Sequence, residues 1–474
     1  MFFRALKWSA AGEIVSKAFQ PLIFIILARL LTPEDYGVTT AALMIISLAQ
    51  VFWEAGMNKA LIQRQTDIDD AANIVFWTNI GLGILFSIIL FLFAQTIAIN
   101  IFQDSRVTSV LRWMTLQLLF GALGSVHIAL LQKKMEFSKL FWVRITTIAI
   151  PGLFSIPLAL YGMGYWSIVV GTLLGQAFQV IFLWYYSNWR PAFSFNISIA
   201  RDLMRFGLWV GITGLLVWFY LWADSFVVGA YLGTHELGLF RTANSVVLLL
   251  FDVLFAPLLP VLYSYFSGIS EHAKIHNVAS TIIRIIAIIA IPLAFILFSF
   301  STPLSNLFFG DKWAGIAFII SYLGLMRGYG WLVGINGEIY RAVGKPHYET
   351  LVYAFSCVFF IAGYIISIKI GFKEFIFTRL ALGMLSLVPH FYILKKVFKS
   401  SIQPILRTIV ISTFAGLMTI IVSFTIPDYI HPILYSCIGI AVSLSLVALV
   451  FHLLDRKFFY FVLNEIRSKT WDRR

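Results

Sequence analysis

Fourteen stretches of about twenty apolar residues follow one another along this chain, and a helix of about that length crosses the hydrocarbon core of a bilayer. They lie near residues 8–31, 38–60, 74–97, 111–131, 145–161, 166–187, 206–231, 240–266, 281–301, 315–338, 349–368, 375–394, 405–426 and 433–454. Of the 474 residues 60% are apolar and 12% charged, about half the charge of a soluble chain. The pattern predicts an all-α polytopic membrane protein. No gap is long enough to house an extramembrane catalytic domain, and Arg4, Lys7, Glu13 and Lys17 interrupt the apolar run that a cleavable signal would need.

The net charge of +13 does not mark a nucleic-acid surface, because the basic residues do not cluster in a soluble domain. Of the 35 Lys and Arg, 25 fall at the termini and in alternate gaps, among them Lys59, Arg64, Lys133, Lys134, Arg190, Arg201, Lys395 and Lys396. Seven fall in the other gaps. The positive-inside rule then places both termini in the cytoplasm, as an even number of spans requires. In the tail after Asp455, Phe458, Val462 and Ile466 share a helical face among basic residues, the pattern of an interfacial helix on anionic lipid.

A long internal repeat organises the spans. Shifting ARLLTPEDYGVTTAA (28–42) by 201 positions lays Leu31 on Leu232, Asp35 on Glu236 and Gly37 on Gly238. Phe102 and Asp104 precede Phe309 and Asp311 by 207, and the basic turn 132–138 precedes 341–347 by about 209. Three matches in order at offsets of 201 to about 209 suggest two homologous membrane halves. The expected division is 1–190, 191–400 and a remainder, 401–474, holding two further spans and a basic tail. Those two spans carry no charge from Ile409 to Ile426 or from Ile433 to Phe451, so they read as additions to a twelve-helix core.

Ionisable groups at membrane depth cost roughly 2.5–3.5 kcal/mol each on insertion scales, so their default reading is functional. Ser9, Glu13, Lys17 and Gln20 form one stripe at helical spacing, and so do Thr40, Ser47, Gln50, Glu54 and Asn58. Thr213, Tyr220 and Asp224 align in the seventh span, Asn244 and Asp252 in the eighth, and Arg379, Ser386 and His390 in the twelfth, while Arg327 lies mid-span in the tenth. Such stripes face a wet cavity or a polar neighbour. Arg327, Lys17 and Arg379 are the candidate cavity cations; Asp224, Asp252, Glu54 and Glu13 are the candidate acids. Bland alternatives exist for several: Glu13 and Lys17 can neutralise each other at i, i+4, and Arg379 and Glu338 can snorkel from span ends. His127 and His390 can serve as interhelical hydrogen-bonders. Gly171/Gly175, Gly324/Gly328 and Gly330/Gly334 have the spacing of close helix packing. Pro257 and Pro260 in the eighth span, Pro21 in the first and Pro292 in the ninth should kink or break their helices.

No P-loop, GxSxG or HExxH motif occurs, Cys357 and Cys437 both lie in apolar runs, and Asp67, Asp69 and Asp70 read as a solvated turn beside Arg64. Neither an enzyme nor a cofactor or metal site is expected, beyond a coupling proton or sodium ion.

Several loops carry a resemblance. RLLTPEDYG (29–37), ALIQR (60–64), GYW (164–166), WRPAFSF (189–195), DSFVVGAYLG (224–233), FFGDKW (308–313) and AVGKP (342–346) resemble the bacterial polysaccharide flippases. These belong to the multidrug/oligosaccharidyl-lipid/polysaccharide exporter superfamily, and the likeness is to its colanic acid exporter-like branch. It covers most of residues 1–400; Phe240 departs from it, standing where Tyr is usual. The resemblance implies two pseudo-symmetric six-helix bundles plus two extra helices around a cavity. It also implies export of an undecaprenyl-diphosphate-linked oligosaccharide for surface polysaccharide by alternating access in the bacterial inner membrane, alongside other polysaccharide assembly proteins. Competing readings are a cation-coupled multidrug antiporter, a lipid II flippase and, from another class, a membrane polysaccharide polymerase or ligase.

Overall fold

The computed structural model describes residues 8, 15, 19–54, 56–194, 196–267, 272–345, 347–398, 402–425, 432–458 and 460–461. Among them there is helix throughout and no strand, and thirteen helices are long and apolar enough to cross a membrane. The first expected span is described from Phe19 on, as the apolar helix α1 (Phe19–Leu30), with Pro21 in its first turn. Glu13, Lys17 and the far tail residues Val462 and Ile466 lie outside the described residues.

The chain divides into two compact units, Met1–Arg241 and Thr242–Arg474. In the first, α1 is followed by α2 (Pro33–Glu54), α3 (Met57–Gln63), α4 (Ile68–Asn100), α5 (Arg106–Met114), α6 (Leu116–Lys133), α7 (Phe137–Leu160), α8 (Tyr165–Tyr186) and α9 (Ile197–Leu232). The start of α10 (Thr234–Phe255) completes it. Helices α7 and α8 pair closely because Gly171 and Gly175 carry no side chain: a Cβ on either would overlap Ser155 or Pro151. The expected second span breaks instead of running straight. Gly56 adopts a left-handed φ of 68°, which ends α2 and turns the chain into α3. Asn58 therefore leaves the stripe of α2 and receives a bond from Asn79 on α4 (3.4 Å), while Ser47 accepts one from Trp218 on α9 (2.9 Å).

The end of this unit that bears Lys133 and Arg190 is closed by a folded-back connector. Asn73 on α4 accepts from the backbone N–H of Ala192 (2.9 Å) and donates to Ser194 (3.0 Å). Trp77 donates to the Ala192 carbonyl and stacks on Phe193 at 4.3 Å. Ser194 donates to Asp70 (3.0 Å), and Arg64 reaches Asp67 at 3.6 Å. Ala192, Phe193 and Ser194 thus pin the α8–α9 connector to the start of α4. Behind it His127 is wholly buried among Trp184 and Trp189, and neither ring nitrogen has a hydrogen-bond partner among the described residues. It packs as an aromatic ring rather than bonding between helices.

The second unit holds the rest of α10, then α11 (Leu258–Ser267), α12 (His272–Phe308), α13 (Ile316–Gly334), α14 (Asn336–Ala342) and α15 (His347–Ile368). It closes with α16 (Phe372–Leu385), α17 (Leu387–Phe398), α18 (Gln403–Thr425) and α19 (Pro432–Leu454). The break expected at Pro257 separates α10 from α11, whereas α12 runs through Pro292 without interruption. Gly324 and Gly328 seat α13 against Leu297, Ala290 and Ala294 of α12. Gly330 faces open space, and the atoms nearest a Cβ on Gly334 belong to Trp331 of its own helix, so the sites of that pair differ from the close contacts of Gly324 and Gly328.

Helices α18 and α19 lie along α12, with Ile411, Ala415, Val447, Val450 and Phe451 forming one buried cluster against Ile288. Arg284 ties all three together. It donates to Thr408 (2.8 Å) and Asp455 (2.9 Å) and lies 3.5 Å over the ring of Phe458. Removing one member of a largely buried pair strands the other, at about 3–5 kcal/mol. Arg284→Ala is therefore expected to lower the melting temperature of the purified protein clearly, whereas Arg407→Ala, which gives up an exposed bond to the Leu454 carbonyl, should change it little.

Candidate functional site

Two constellations stand out, one in each unit. In the first, the repeat-related turns touch. A Cβ on Gly37 would overlap the Thr234 carbonyl, and a Cβ on Gly238 would overlap the Pro33 carbonyl and the Gly37 nitrogen. Pro33 and Thr234 are themselves 201 positions apart, as are Gly37 and Gly238. Residue i meeting the repeat mate of j, while j meets the mate of i, is the signature of a local two-fold axis. Only glycine permits it, because backbone meets backbone.

Charges surround this seam. Glu34 and His235, again 201 apart, meet with Oε1 and Nδ1 separated by 2.6 Å. On a two-fold axis a residue meets its own copy, and two glutamates there would repel; the duplicated turn carries a histidine instead. Asp35 accepts from the backbone N–H and the hydroxyl of Thr32, both at 3.0 Å, and from the backbone N–H of Tyr165 at 2.9 Å. Asp104, in the loop between α4 and α5, accepts from Thr234 Oγ1 (2.7 Å) and from both Nε and Nη2 of Arg106. Burial pushes the Asp104 carboxyl up, but the bonds from Arg106 and Thr234 outweigh it and hold the group below the usual carboxylate range.

The second constellation is inside the membrane-spanning part of the second unit. Arg327 Nη2 on α13 donates to Asp252 Oδ1 on α10 at 2.5 Å, both side chains being about one-third exposed. The guanidinium lies 5.3 Å from the ring centre of Trp331, and Trp331 lies 5.2 Å from Phe255, tilted. Farther along, Tyr340 on α14 meets His390 Nδ1 on α17 at 3.1 Å, an interhelical bond of the kind expected for that histidine.

Of the seven candidate residues, the structure brings Arg327 and Asp252 together. Asp224 is buried on α9, 6% exposed, with Oδ1 accepting from the backbone and hydroxyl of Ser225. Arg379 is 7% exposed on α16, so it does not snorkel to an interface; Glu338 pairs with Arg341 at 2.7 Å. Glu13 and Lys17 lie outside the described residues, as does the side chain of Glu54. Sequence reasoning missed the Glu34–His235 pair, although its 201-residue offset was the signal, and it missed Trp331, which carries none.

The profile of the polysaccharide biosynthesis protein family Polysacc_synt_3 matches residues 26–318. The chain belongs to this family. Its relatives include the succinoglycan biosynthesis transport protein ExoT of Rhizobium meliloti, 24% identical over 69% of this chain and 66% of ExoT, just under two thirds of that protein's length. The lipopolysaccharide biosynthesis protein WzxC of Escherichia coli is 22% identical over 89% of this chain and 86% of WzxC. Among solved structures, the lipid II flippase MurJ in an inward closed conformation shares the fold at a TM-score of 0.76 and 18% identity, covering 94% of this chain and 99% of that one. An inward-facing multidrug resistance MATE transporter matches at a TM-score of 0.64 and 15% identity, over 84% and 99%. The chain thus shares its fold with these two transporters, and its thirteen long apolar helices among the described residues make it a multi-pass membrane protein.

Because Glu34 and His235 pair across the seam, exchanging their charges should be tolerated better than breaking them. Glu34→Lys is expected to weaken the seam by up to about 1 kcal/mol, since the pair is partly solvated, and Glu34→Lys with His235→Glu should restore most of the loss. Thermal stability of the two variants in detergent reads this directly; equal destabilisation by both would refute the pairing.

Proposed function

We propose that this protein is a flippase that carries a polyprenyl-diphosphate-linked oligosaccharide, of the undecaprenyl type, from the cytoplasmic to the outer leaflet of the bacterial cytoplasmic membrane for surface polysaccharide assembly. The observation that carries the reading is the Arg327–Asp252 pair at membrane depth in a chain of the polysaccharide biosynthesis family. A diphosphate head group is strongly anionic and needs a compensating cation in a low-dielectric passage. Arg327 supplies one, and Asp252 holds that cation while no substrate is present. Substrate and acid then compete for one guanidinium, which links binding to release without any chemical step on the sugar. Lys17 is its counterpart in the first repeat half, and Asp224, Glu54 and Glu13 are the remaining acids, any of which can take a coupling proton or sodium ion.

The halves 1–190 and 191–400 rock in alternating access, the usual motion of such repeats, with 401–474 appended. Both termini are cytoplasmic on the charge asymmetry of the gaps. The multidrug antiporter reading rests on fold likeness alone, and the family match favours polysaccharide over drug.

Export of surface polysaccharide in a deletion strain, complemented with variants at equal protein level, tests the cation. Arg327→Ala should abolish export and Arg327→Lys should retain part of it; full export by Arg327→Ala would sink the proposal. Asp224→Asn should impair export more than it impairs binding of the lipid diphosphate. For topology, single cysteines are introduced in a background lacking Cys357 and Cys437. Positions 311 and 312 should react with an impermeant maleimide from outside, and positions 133 and 396 should not; outside labelling of position 133 would overturn the orientation.

A further inference from the structure

The Arg327–Asp252 pair leaves donors unused. Trp331 is 5% exposed, and its indole Nε1 is buried with no acceptor among the described residues. The Nε of Arg327 is in the same condition. A buried N–H without a partner costs about 1–3 kcal/mol, and each instance in a native fold calls for a cause. Here two of them belong to neighbouring side chains, one helical turn apart on α13, with the guanidinium 5.3 Å from the indole ring centre.

The surroundings form two rungs between α10 and α13. Asp252 faces Arg327 on one rung; Phe255, three residues after Asp252, faces Trp331 on the next at 5.2 Å. The aromatic rung fixes the indole, and the charged rung is closed by a carboxylate that engages only the Nη2 of Arg327. A diphosphate has several non-bridging oxygens and can accept from Nη2, Nε and the indole N–H together.

We propose that Trp331 is a second anion donor of this site, giving its indole N–H to a phosphate oxygen of a polyprenyl diphosphate once Asp252 is displaced. The proposal rests on the reading of Arg327 as the diphosphate cation. It explains why a carboxylate can occupy the site without trapping it: the exchange satisfies two donors that Asp252 leaves bare. A phenylalanine at position 331 keeps the ring, its contact with Phe255 and the cation–π contact, and removes only the N–H.

The test is the affinity of the purified full-length protein for farnesyl diphosphate, with melting temperature measured alongside. Trp331→Phe should bind about three- to tenfold more weakly with melting no lower than the parent's, and Asp252→Asn should bind more tightly than the parent. The loss from Trp331→Phe should be larger in the Asp252→Asn background, because only the opened site engages the indole; a purely structural tryptophan would show no such dependence. Should Trp331→Phe prove unstable, Trp331→Gln, which keeps an N–H donor, is compared with Trp331→Leu, and the Gln variant should bind more tightly. Equal binding by parent and Trp331→Phe, or by the Gln and Leu variants, while Arg327→Ala loses affinity, overturns the indole donor alone. Undiminished binding by Arg327→Ala overturns the cation reading beneath it, and the indole proposal with it.

Discussion

Backbone meeting backbone at Gly37 and Gly238 is the contact around which the first unit is arranged. Two helix-starting turns come so close that no side chain fits between them, and everything charged nearby is placed to accommodate that approach. Asp35 closes its own turn through Thr32 and reaches across to the Tyr165 N–H. Asp104 holds Thr234, and Arg106 holds Asp104. Glu34 and His235 complete the seam as unlike charges where an unmodified duplicate would set like against like. Gene duplication supplies the axis; divergence at one residue of a pair removes the repulsion that symmetry imposes.

The largely buried charges follow a second rule, that an ion in a medium of low polarity needs a partner or a polar surrounding. Arg284 meets the rule structurally. Its three contacts join α12, α18 and the segment after α19, and nothing about them calls for a substrate. Arg327 meets it differently, with one partner, one third of its side chain exposed and a bare Nε. The same residue type thus serves as a fastener in one place and as a site in another. What separates the two is the number of donors left unsatisfied.

Much of the fold was legible because bilayer thickness imposes a minimum apolar length on every span, and because charge asymmetry between gaps survives any detail of packing. The repeat was legible for a related reason: turns under steric constraint keep their glycines. Less was legible in the site. Arg327 and Asp252 stood out individually as ions inside spans, but 75 residues separate them and no pattern in the chain joins them. His127 looked like a bonder and is an aromatic filler, since its place among tryptophans depends on a connector folding back from another helix. Arg379 looked able to snorkel and is buried, because snorkelling depends on which neighbours cover a helix, not on distance from its end.

By itself the sequence determined the class of solvent, the approximate placement of the apolar spans, their repeat and the list of ions that must be accounted for. Each of these depends on transfer from water to hydrocarbon, a local property of composition along one segment. Which ions meet, which glycines touch and which N–H groups are left bare were decided only by the tertiary structure. Helical phase tells which face a residue occupies, but the partner on that face comes from a different helix, and its identity depends on packing between segments far apart in the chain.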